Sequence, residues 1–373
     1  MKVKNKIFFL SLLQLASVIL CAQSATHKVP DNKMLEIYNE VKTPYKYGLV
    51  MVPSDDSKKI DCPSVFRKDN MWYMTYLVFG GRGYETWLAK SKDLLNWQSM
   101  GRILSFSSDT TVWDSQQKAG YIALQDYRWN GSYALNKYDG KYWLSYIGGR
   151  TSGYEAGLLS LGIAYTDKDP ASVHEWQRLE KPILMSADKD SRWWENRKQF
   201  KSTVIWDKQK ITGYPFVMYY NANGDSAKNN IKTRWFERIG MAVSNDMKNW
   251  RRFNTEPVVH HPVGITGDPV IQKIGNTWVM FYFGAFWEDR KGAFNRFACS
   301  DDLVHWTDWT GEDLIHSSEP YDSLYAHKPF VLKYKGVVYH FYDAVNKKEQ
   351  RGIAVATSKD LGKSKLNFVQ EKK

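Results

Sequence analysis

Short apolar runs, interrupted every few residues by Gly, Asn, Asp or Pro, extend along most of the chain. Runs bounded in this way predict β-strands. Helical periodicity is limited to a turn or two near residues 33–40. Five of the runs are rich in aromatic residues: "MWYMTY", "KYWLSY", "FVMYY", "TWVMFY" and "VVYHFY". The pattern therefore predicts an all-β protein built from a repeated unit that contains one aromatic strand.

A second pattern, Ser-x-Asp-(Leu/Met)-x-x-Trp, recurs in step with the aromatic runs. Its clear copies are "SKDLLNW" from Ser91, "SNDMKNW" from Ser244 and "SDDLVHW" from Ser300, and degenerate copies begin at Thr166 and Ser358. Ser and Asp side chains accept backbone hydrogen bonds in turns, and the Trp can pack between layers. We therefore expect each copy to form the turn between the third and fourth strands of the unit, with a structural role.

A third pattern lies upstream of each aromatic run and predicts the first strand of the unit. The segments are "CPSVF", "SYALNK", "KSTVI", "DPVIQ" and "KPFVL". Five units of about four short strands predict a single five-bladed β-propeller of four-stranded antiparallel blades. We assign residues 56–373 to this propeller, which we take as the catalytic domain. Residues 24–55 are an N-terminal extension available to close the last blade.

The first 23 residues have the features of an export signal. Lys2, Lys4 and Lys6 precede an apolar run, and "CAQ" before Ser24 supplies small residues for cleavage. We therefore predict a signal peptide at residues 1–23 and an exported protein, periplasmic or secreted. An N-terminal membrane anchor is the alternative, but the run is short against the roughly 20 residues that span a bilayer. We expect no stable membrane insertion.

Charge and cysteine content limit the classes of ligand and partner that we expect. The formal net charge is +12, but Lys and Arg are spread along the chain, so we expect no nucleic-acid partner. An anionic glycan stays open. Cys62 and Cys299 lie in strand-like runs, which predicts buried free thiols. Because no Cys/His cluster has zinc-site spacing, we predict no metal and no cofactor. The sequence does not indicate an oligomeric state.

Functional residues are expected where the repeated units differ. The first strands align on Pro or its equivalent in "IDCPSVF", "TGDPVIQ", "AHKPFVL" and "QFKSTVI". This alignment places five charged or polar residues at the mouth of the central channel: Asp61, Asp268, His327, Lys328 and Lys201. Such groups are costly there unless they are paired or used. A polar binding site is our interpretation, and a closed salt-bridge cluster between blades is the alternative.

Carboxylates at a channel mouth suit glycoside hydrolysis, which needs two carboxyl groups on opposite sides of a sugar. We predict Asp61, Asp268 and Glu195 as the catalytic residues. Glu195 follows Trp193 and Trp194, and an apolar neighbourhood raises a carboxyl pKa as a general acid requires. An ordinary loop acid is the alternative for Glu195.

Further residues are candidates for substrate contacts. Glu85 and Glu155 both occur in "GYE", and Glu237 occurs in "WFE". This recurrence favours structure and ranks them below Glu195 as acids. The remaining candidates are Asp114, Asp126, Trp129, Trp193, Trp194 and Trp287, together with Lys201, His327 and Lys328; Trp113 and Phe286 lie in similar loops. Aromatic rings stack well on sugars, and anchoring of the loops in the core is the alternative.

"DCPSVFRKDNMWYMTY" resembles the blade-one pattern of glycoside hydrolase family 43, and "SKDLLNW" resembles a turn of the same superfamily. From about residue 56 to 362 the sequence resembles the five-bladed propeller glycosidases of families 43, 32, 117 and 130, as a separate branch. The resemblance implies that the blade-one Asp is the general base. Asp61 takes that role by position, although Cys62 occupies the family Asp position in strict register. His327 resembles the acid of family 117.

This resemblance implies an exported glycoside hydrolase, exo-acting on plant or algal oligosaccharides. A sugar-binding propeller without turnover is the first alternative. The second is a family 130-like phosphorylase, in which Lys201 and Lys328 would hold phosphate.

Overall fold

The computed structural model describes residues 27–224 and 236–369, in which nearly all regular structure is β. One α-helix, α1 (Asp31–Val41), packs Met34, Ile37 and Val41 inward, the spacing of a helix with one buried face. No helix in the described ranges is long and apolar enough to cross a membrane. The predicted signal peptide lies outside the described residues.

The connections between strands range from tight turns to long loops, and a single-turn 3-10 helix lies at Pro320–Asp322. In chain order they are β1 (Tyr45–Met51), β2 (Lys59–Lys68), β3 (Met71–Phe79), β4 (Tyr84–Ser91), β5 (Gln98–Leu104), β6 (Gln117–Ile122), β7 (Tyr142–Gly149), β8 (Ser160–Thr166), β9 (Gln177–Arg178), β10 (Lys198–Trp206), β11 (Phe216–Asn223), β12 (Phe236–Ser244), β13 (Trp250–Arg252), β14 (Gly264–Ile274), β15 (Thr277–Ala285), β16 (Ala293–Ser300), β17 (Thr307–Asp308), β18 (Ile315–His316), β19 (Tyr325–Tyr334), β20 (Val337–Val345) and β21 (Arg351–Thr357).

These strands form antiparallel four-stranded sheets in the orders β2-β3-β4-β5, β6-β7-β8-β9 and β1-β21-β20-β19. The remaining strands form a nine-stranded sheet, in which β13 lies on β12 and β18 lies on β16. Its middle is a short parallel contact between β12 and β14, through Phe236↔Gly264 and Glu237↔Ile265. On either side of that contact the strands again run antiparallel. The fold is therefore the all-β arrangement of antiparallel meanders that the sequence predicts.

The two ends of the described structure meet in one sheet. β1, from the predicted N-terminal extension, pairs antiparallel with β21, from Tyr45↔Thr357 to Met51↔Ile353. Pairing of strands this far apart in sequence makes the last sheet depend on the first residues of the fold.

The aromatic runs are the second strands, and they carry much of the core. Trp72 on β3, Trp143 on β7 and Trp278 on β15 are each 0–1% exposed. Burial of such large rings is a major part of the hydrophobic stabilisation.

The repeated turn motif joins third and fourth strands, as expected. In the first copy, Ser91 Oγ accepts hydrogen bonds from the backbone N–H groups of Asp93 and Leu94. The carboxylate of Asp93 accepts from the N–H groups of Leu95 and Asn96. Leu94 has a left-handed backbone with φ of 69°. The copies at Ser244 and Ser300 repeat this arrangement, so the recurrence is explained by turn geometry.

One predicted first strand is wrong. "SYALNK" lies in a loop, where Leu135 forms an isolated bridge with Gln125, and the first strand of that sheet is β6. Tyr133 in this loop is fully buried, and its hydroxyl accepts hydrogen bonds from Asn130 and Lys333. A loop anchored by a buried aromatic residue gives the same apolar pattern as a strand, which explains the error.

Asp246→Ala should lower the free energy of unfolding by about 1–2 kcal/mol, because two backbone N–H groups of the turn lose their acceptor. These groups belong to Lys248 and Asn249, at 2.9 and 2.7 Å from Asp246 Oδ1. Urea denaturation followed by fluorescence measures the change. The control is Lys248→Ala in the same turn, whose exposed contact with Asp139 contributes little. Equal effects of the two changes would contradict this account of the motif.

Candidate active site

Four first strands share an irregularity at the same position. The pairing register shifts between Asp61 and Ser64 on β2, Gln199 and Ser202 on β10, Gly267 and Val270 on β14, and His327 and Phe330 on β19. Such β-bulges bend a strand and redirect its side chains. Cys62, Asp268 and Lys328 adopt left-handed φ values of 51–57° at three of them, and a Pro, which cannot donate to the ladder, follows each of these residues.

The side chains redirected by the bulges meet at one cavity of about 200 Å³. Its polar lining consists of Glu155, Lys201, Asn221, Glu237, Asp268, His327, Lys328 and Arg351. Its aromatic lining consists of Tyr84, Tyr121, Tyr154, Phe200, Phe283, Phe286 and Tyr325. A concave site with aromatic walls and convergent charged groups is typical of an active site.

Asp61 lies directly behind the cavity wall and is fully buried. Its Oδ2 accepts hydrogen bonds from Arg351 at 2.6 Å, from Lys328 at 3.1 Å and from the Tyr84 hydroxyl at 3.2 Å. Burial alone would raise the pKa of Asp61, but the charges of Lys328 and Arg351 outweigh it and hold the pKa well below its usual range. Asp61 therefore stays ionised, and it is absent from the cavity lining.

Asp268 lines the cavity and has a weaker counter-charge. The Lys201 ammonium stands 4.0 Å from its carboxylate, and the Cys62 thiol lies 3.6 Å from the same oxygen. Burial raises the pKa of Asp268, and Lys201 offsets the rise only in part. The Lys201 Nζ is buried without a hydrogen-bond partner in the described structure, so it is available to an oxygen atom of a ligand.

Glu237, at the start of β12, has the most perturbed carboxyl group on the cavity surface. Burial raises its pKa to about 8, and the negative charges of Glu155 and Asp268 contribute. The Asn221 amide donates to its Oε2 at 2.7 Å and opposes the rise. Glu237 is therefore protonated at neutral pH and can donate a proton.

Glu155 lies on a loop that the surrounding residues hold in place. Lys198 donates to its backbone carbonyl at 2.8 Å, and the hydroxyl of the preceding Tyr154 accepts from Arg351 at 2.6 Å. Lys328 stands 4.0 Å from the carboxylate. Burial raises the pKa of Glu155, against the opposing charge of Lys328. Its charge in turn acts on Glu237, so the two carboxyl groups share one cavity.

His327 is held as a neutral ring. Burial lowers its pKa well below the usual value, and the charges of Lys328 and Arg351 lower it further. Its Nδ1 lies 3.3 Å from the Asp343 carbonyl oxygen, which can only accept, so the proton is on Nδ1 and Nε2 is an acceptor. This ring can bind a substrate hydroxyl group.

The arrangement offers little to a metal ion. Ligand atoms of Asp61, Cys62 and Asp343 lie within 4.8 Å of one another. However, both oxygens of Asp343 already accept the backbone N–H of Cys62 at 3.0 and 3.2 Å. Lys328 and Arg351 supply the positive charge beside Asp61.

The structure brings together six of the predicted residues: Asp268, Lys201, His327, Lys328 and Glu155 line the cavity, and Asp61 lies directly behind its wall. It does not bring Glu195 to the cavity. The Glu195 carboxylate is fully buried and accepts hydrogen bonds from Arg252 at 2.6 Å and from Tyr220 at 2.7 Å. A carboxylate bound in this way joins two parts of the fold and does not face a substrate.

The other predicted binding residues, except Glu155, also lie away from the cavity lining. Asp114 forms an ion pair with Arg178, Glu85 with Arg102 at 3.0 Å, and Asp126 with Arg128 at 2.8 Å. The indole N–H groups of four tryptophans donate to protein oxygens: Trp129 to Glu40, Trp193 to Glu256, Trp194 to Thr255 and Trp287 to Ile265. The aromatic residues at the cavity are instead mostly tyrosines and phenylalanines.

Comparison with known proteins finds two solved structures that are highly similar to this chain over most of its length. No family model matches the sequence. A solved structure named as a BT0996 complex with RGII is 52% identical, with a TM-score of 0.89, over 93% of this chain and all of the matched protein. A second, named "Glycoside hydrolase", gives the same values. A thermostable family-43 glycoside hydrolase, 14% identical, has a TM-score of 0.56 over 86% of this chain and 97% of the matched protein, a likeness of the fold alone.

One curated relative is a phosphorylase. The β-1,2-mannobiose phosphorylase of Thermoanaerobacter sp. (strain X514) is 31% identical over 137 residues, which are 35% of this chain and 43% of that protein. The match therefore spans less than half of the phosphorylase.

Trp194→Ala should lower the free energy of unfolding by about 3–5 kcal/mol, because a buried indole is replaced by a cavity. Trp194 is 1% exposed. The matched change Trp193→Ala should cost less, since Trp193 is only half-buried. Neither change should alter KM, because neither ring lines the cavity. Denaturation curves and steady-state kinetics measure both, and a raised KM with unchanged stability for Trp194→Ala would restore it as a substrate contact.

Proposed function

This protein belongs to the β-propeller glycoside hydrolases, and from this membership we propose that it is an exported, exo-acting glycosidase with Glu237 and Glu155 as its catalytic carboxyl groups. The observation that carries the proposal is the raised pKa of Glu237, about 8, in a cavity that a second glutamate, Glu155, also lines. A carboxyl group that its surroundings keep protonated at neutral pH can serve as the general acid of a glycosidase.

Glu237 is the proposed general acid. It lines the cavity, and its pKa of about 8 keeps the proton on the group at neutral pH. Glu155 is the proposed second catalytic carboxyl group, because it lines the same cavity and the Lys328 ammonium stands 4.0 Å from it. Asp268 and His327 then bind hydroxyl groups of the sugar. Asp61 acts through Lys328 and Arg351 as a positioning residue.

The cavity favours a single terminal sugar. Its volume of about 200 Å³ is small against the roughly 300–1,000 Å³ of sites that enclose drug-sized ligands. The name of the 52%-identical structure mentions a complex with RGII. We therefore propose an oligosaccharide of that kind as the substrate class, cleaved from its end.

Five blades are the proposed architecture. The parallel contact between β12 and β14 joins only two residue pairs, and four strands lie on each side of it when β13 is counted with β10–β12 and β17 with β14–β16. The nine-stranded sheet then comprises two blades, to which the three separate sheets are added. Residues 1–23 are proposed as the signal peptide of a periplasmic or secreted enzyme.

Phosphorolysis is the second candidate, supported by the match to the phosphorylase and by Lys201 Nζ, which has no hydrogen-bond partner among the described residues. The arrangement of charges favours water over phosphate as the attacking group. Lys201 already faces Asp268 at 4.0 Å, and Lys328 and Arg351 bind Asp61 at 3.1 and 2.6 Å. This pairing leaves little positive charge for a phosphate dianion.

Turnover should release free sugar at the same rate in phosphate and phosphate-free buffers. Oligosaccharide fragments of RGII and aryl glycosides are the substrates, and products are separated by anion-exchange chromatography. Accumulation of a sugar phosphate would overturn hydrolysis in favour of phosphorolysis. Binding of the fragments without any product would indicate a non-catalytic propeller.

Glu237→Gln should slow substrates with poor leaving groups by about 10²–10⁴-fold and largely spare activated aryl glycosides, because the latter need no protonation. In the wild type, activity should fall as the pH rises through about 8, since the acid then loses its proton. Profiles of kcat/KM against pH show both effects. Glu85→Gln is the matched control, because Glu85 holds the same place on β4 but binds Arg102. An unchanged alkaline limb in Glu237→Gln would remove Glu237 from the acid role.

A further inference from the structure

The third clear copy of the turn motif has a histidine, His305, where the other two copies have an asparagine. Asn96 and Asn249 donate from their side-chain amides to Asp93 and Asp246, at 2.8 and 2.7 Å. In the third copy the corresponding residue is His305, whose Nδ1 lies 2.6 Å from Asp302 Oδ2. Since Asn suffices for the turn twice, the turn itself does not require a histidine.

A second histidine lies at the same place. His27, near the N-terminal end of the described residues, has its Nδ1 3.2 Å from the same Asp302 oxygen. Its ring stacks on that of His305, with 4.1 Å between centroids and 11° between planes. The backbone N–H of Val29 donates to Thr307 Oγ1 at 2.8 Å, which fixes this segment against the turn.

We propose that His27, Asp302 and His305 form a binding site for a divalent transition metal of the Zn²⁺ class. Their three ligand atoms lie within 4.8 Å of one another. A metal at about 2.0–2.2 Å from each atom needs them roughly 3.3 Å apart, which the His27 contact already meets. The shorter His305 contact opens by a small side-chain rotation.

The donor set selects the metal. Two imidazoles and one carboxylate suit Zn²⁺, Cu²⁺ or Ni²⁺, whereas Mg²⁺ and Ca²⁺ take oxygen ligands. The His27 and His305 side chains are 58% and 54% exposed, so an ion can enter and water can complete its coordination. Asp302 Oδ1 keeps the turn by accepting from Val304 and His305 N–H groups, which leaves Oδ2 for the metal.

The bound ion would join the N-terminal segment to the turn after β16, two regions that are far apart in sequence. The site is separate from the cavity, so metal binding is expected to change stability and not the chemistry of turnover.

Isothermal titration of the exported protein with ZnCl₂, without a polyhistidine tag, tests the site. The wild type should bind one equivalent of Zn²⁺, and its melting temperature should rise with the metal; MgCl₂ should do neither. His305→Asn and His27→Asn should each lose both effects. His305→Asn should fold normally, because it restores the residue of the other two copies.

Asn249→His is the matched control, because it places a histidine in an equivalent turn beside Asp246, away from His27; it should gain no second equivalent. Zn²⁺ binding that persists in His27→Asn and His305→Asn would place the metal elsewhere and overturn the proposal. Absence of Zn²⁺ binding by the wild type would also overturn it.

Discussion

The buried carboxylate of Asp61 is the charge on which the site depends. It is fully enclosed, and an ionised carboxylate there is costly unless cations compensate it. Lys328 on β19 and Arg351 on β21 provide that compensation at 3.1 and 2.6 Å, while Asp61 itself lies on β2. The ion cluster therefore ties the first complete sheet to the last one, and Arg351 extends the tie to the Glu155 loop through Tyr154.

The β-bulges in the first strands place these charged side chains around one cavity. A regular strand would send alternate side chains to opposite faces, whereas each bulge turns one residue out of that alternation. Cys62, Asp268 and Lys328 accept left-handed backbone angles for this purpose, a strain that the surrounding ladders hold. The same device on several strands gathers charges of both signs at one point, where their mutual pairing offsets the cost of burial.

The sequence predicts the repeated turns, the aromatic second strands and the convergence of Asp61, Asp268, Lys201, His327 and Lys328, because each of these follows from local chemistry or from aligned first strands. It does not distinguish Glu237 from Glu85. Both lie at the start of third strands. Glu85 forms an ion pair with Arg102 on β5. Glu237 accepts a hydrogen bond from the Asn221 amide, and the negative charges of Glu155 and Asp268 act on it. The two glutamates therefore differ because of residues on neighbouring strands and loops, which the local sequence does not reveal.

The sequence also does not show which aromatic residues line the cavity. Trp194 is a reasonable sugar-stacking candidate in sequence, yet its ring packs against Tyr220 and lies within the core. Tyr154 and Tyr84 attract less notice in sequence, but they line the cavity and contact each other edge to face. The Tyr84 hydroxyl also donates to Asp61, and the Tyr154 hydroxyl accepts from Arg351. The walls of the cavity are thus continuous with the ion cluster beneath it, so the groups that shape the sugar site also hold its charges in place.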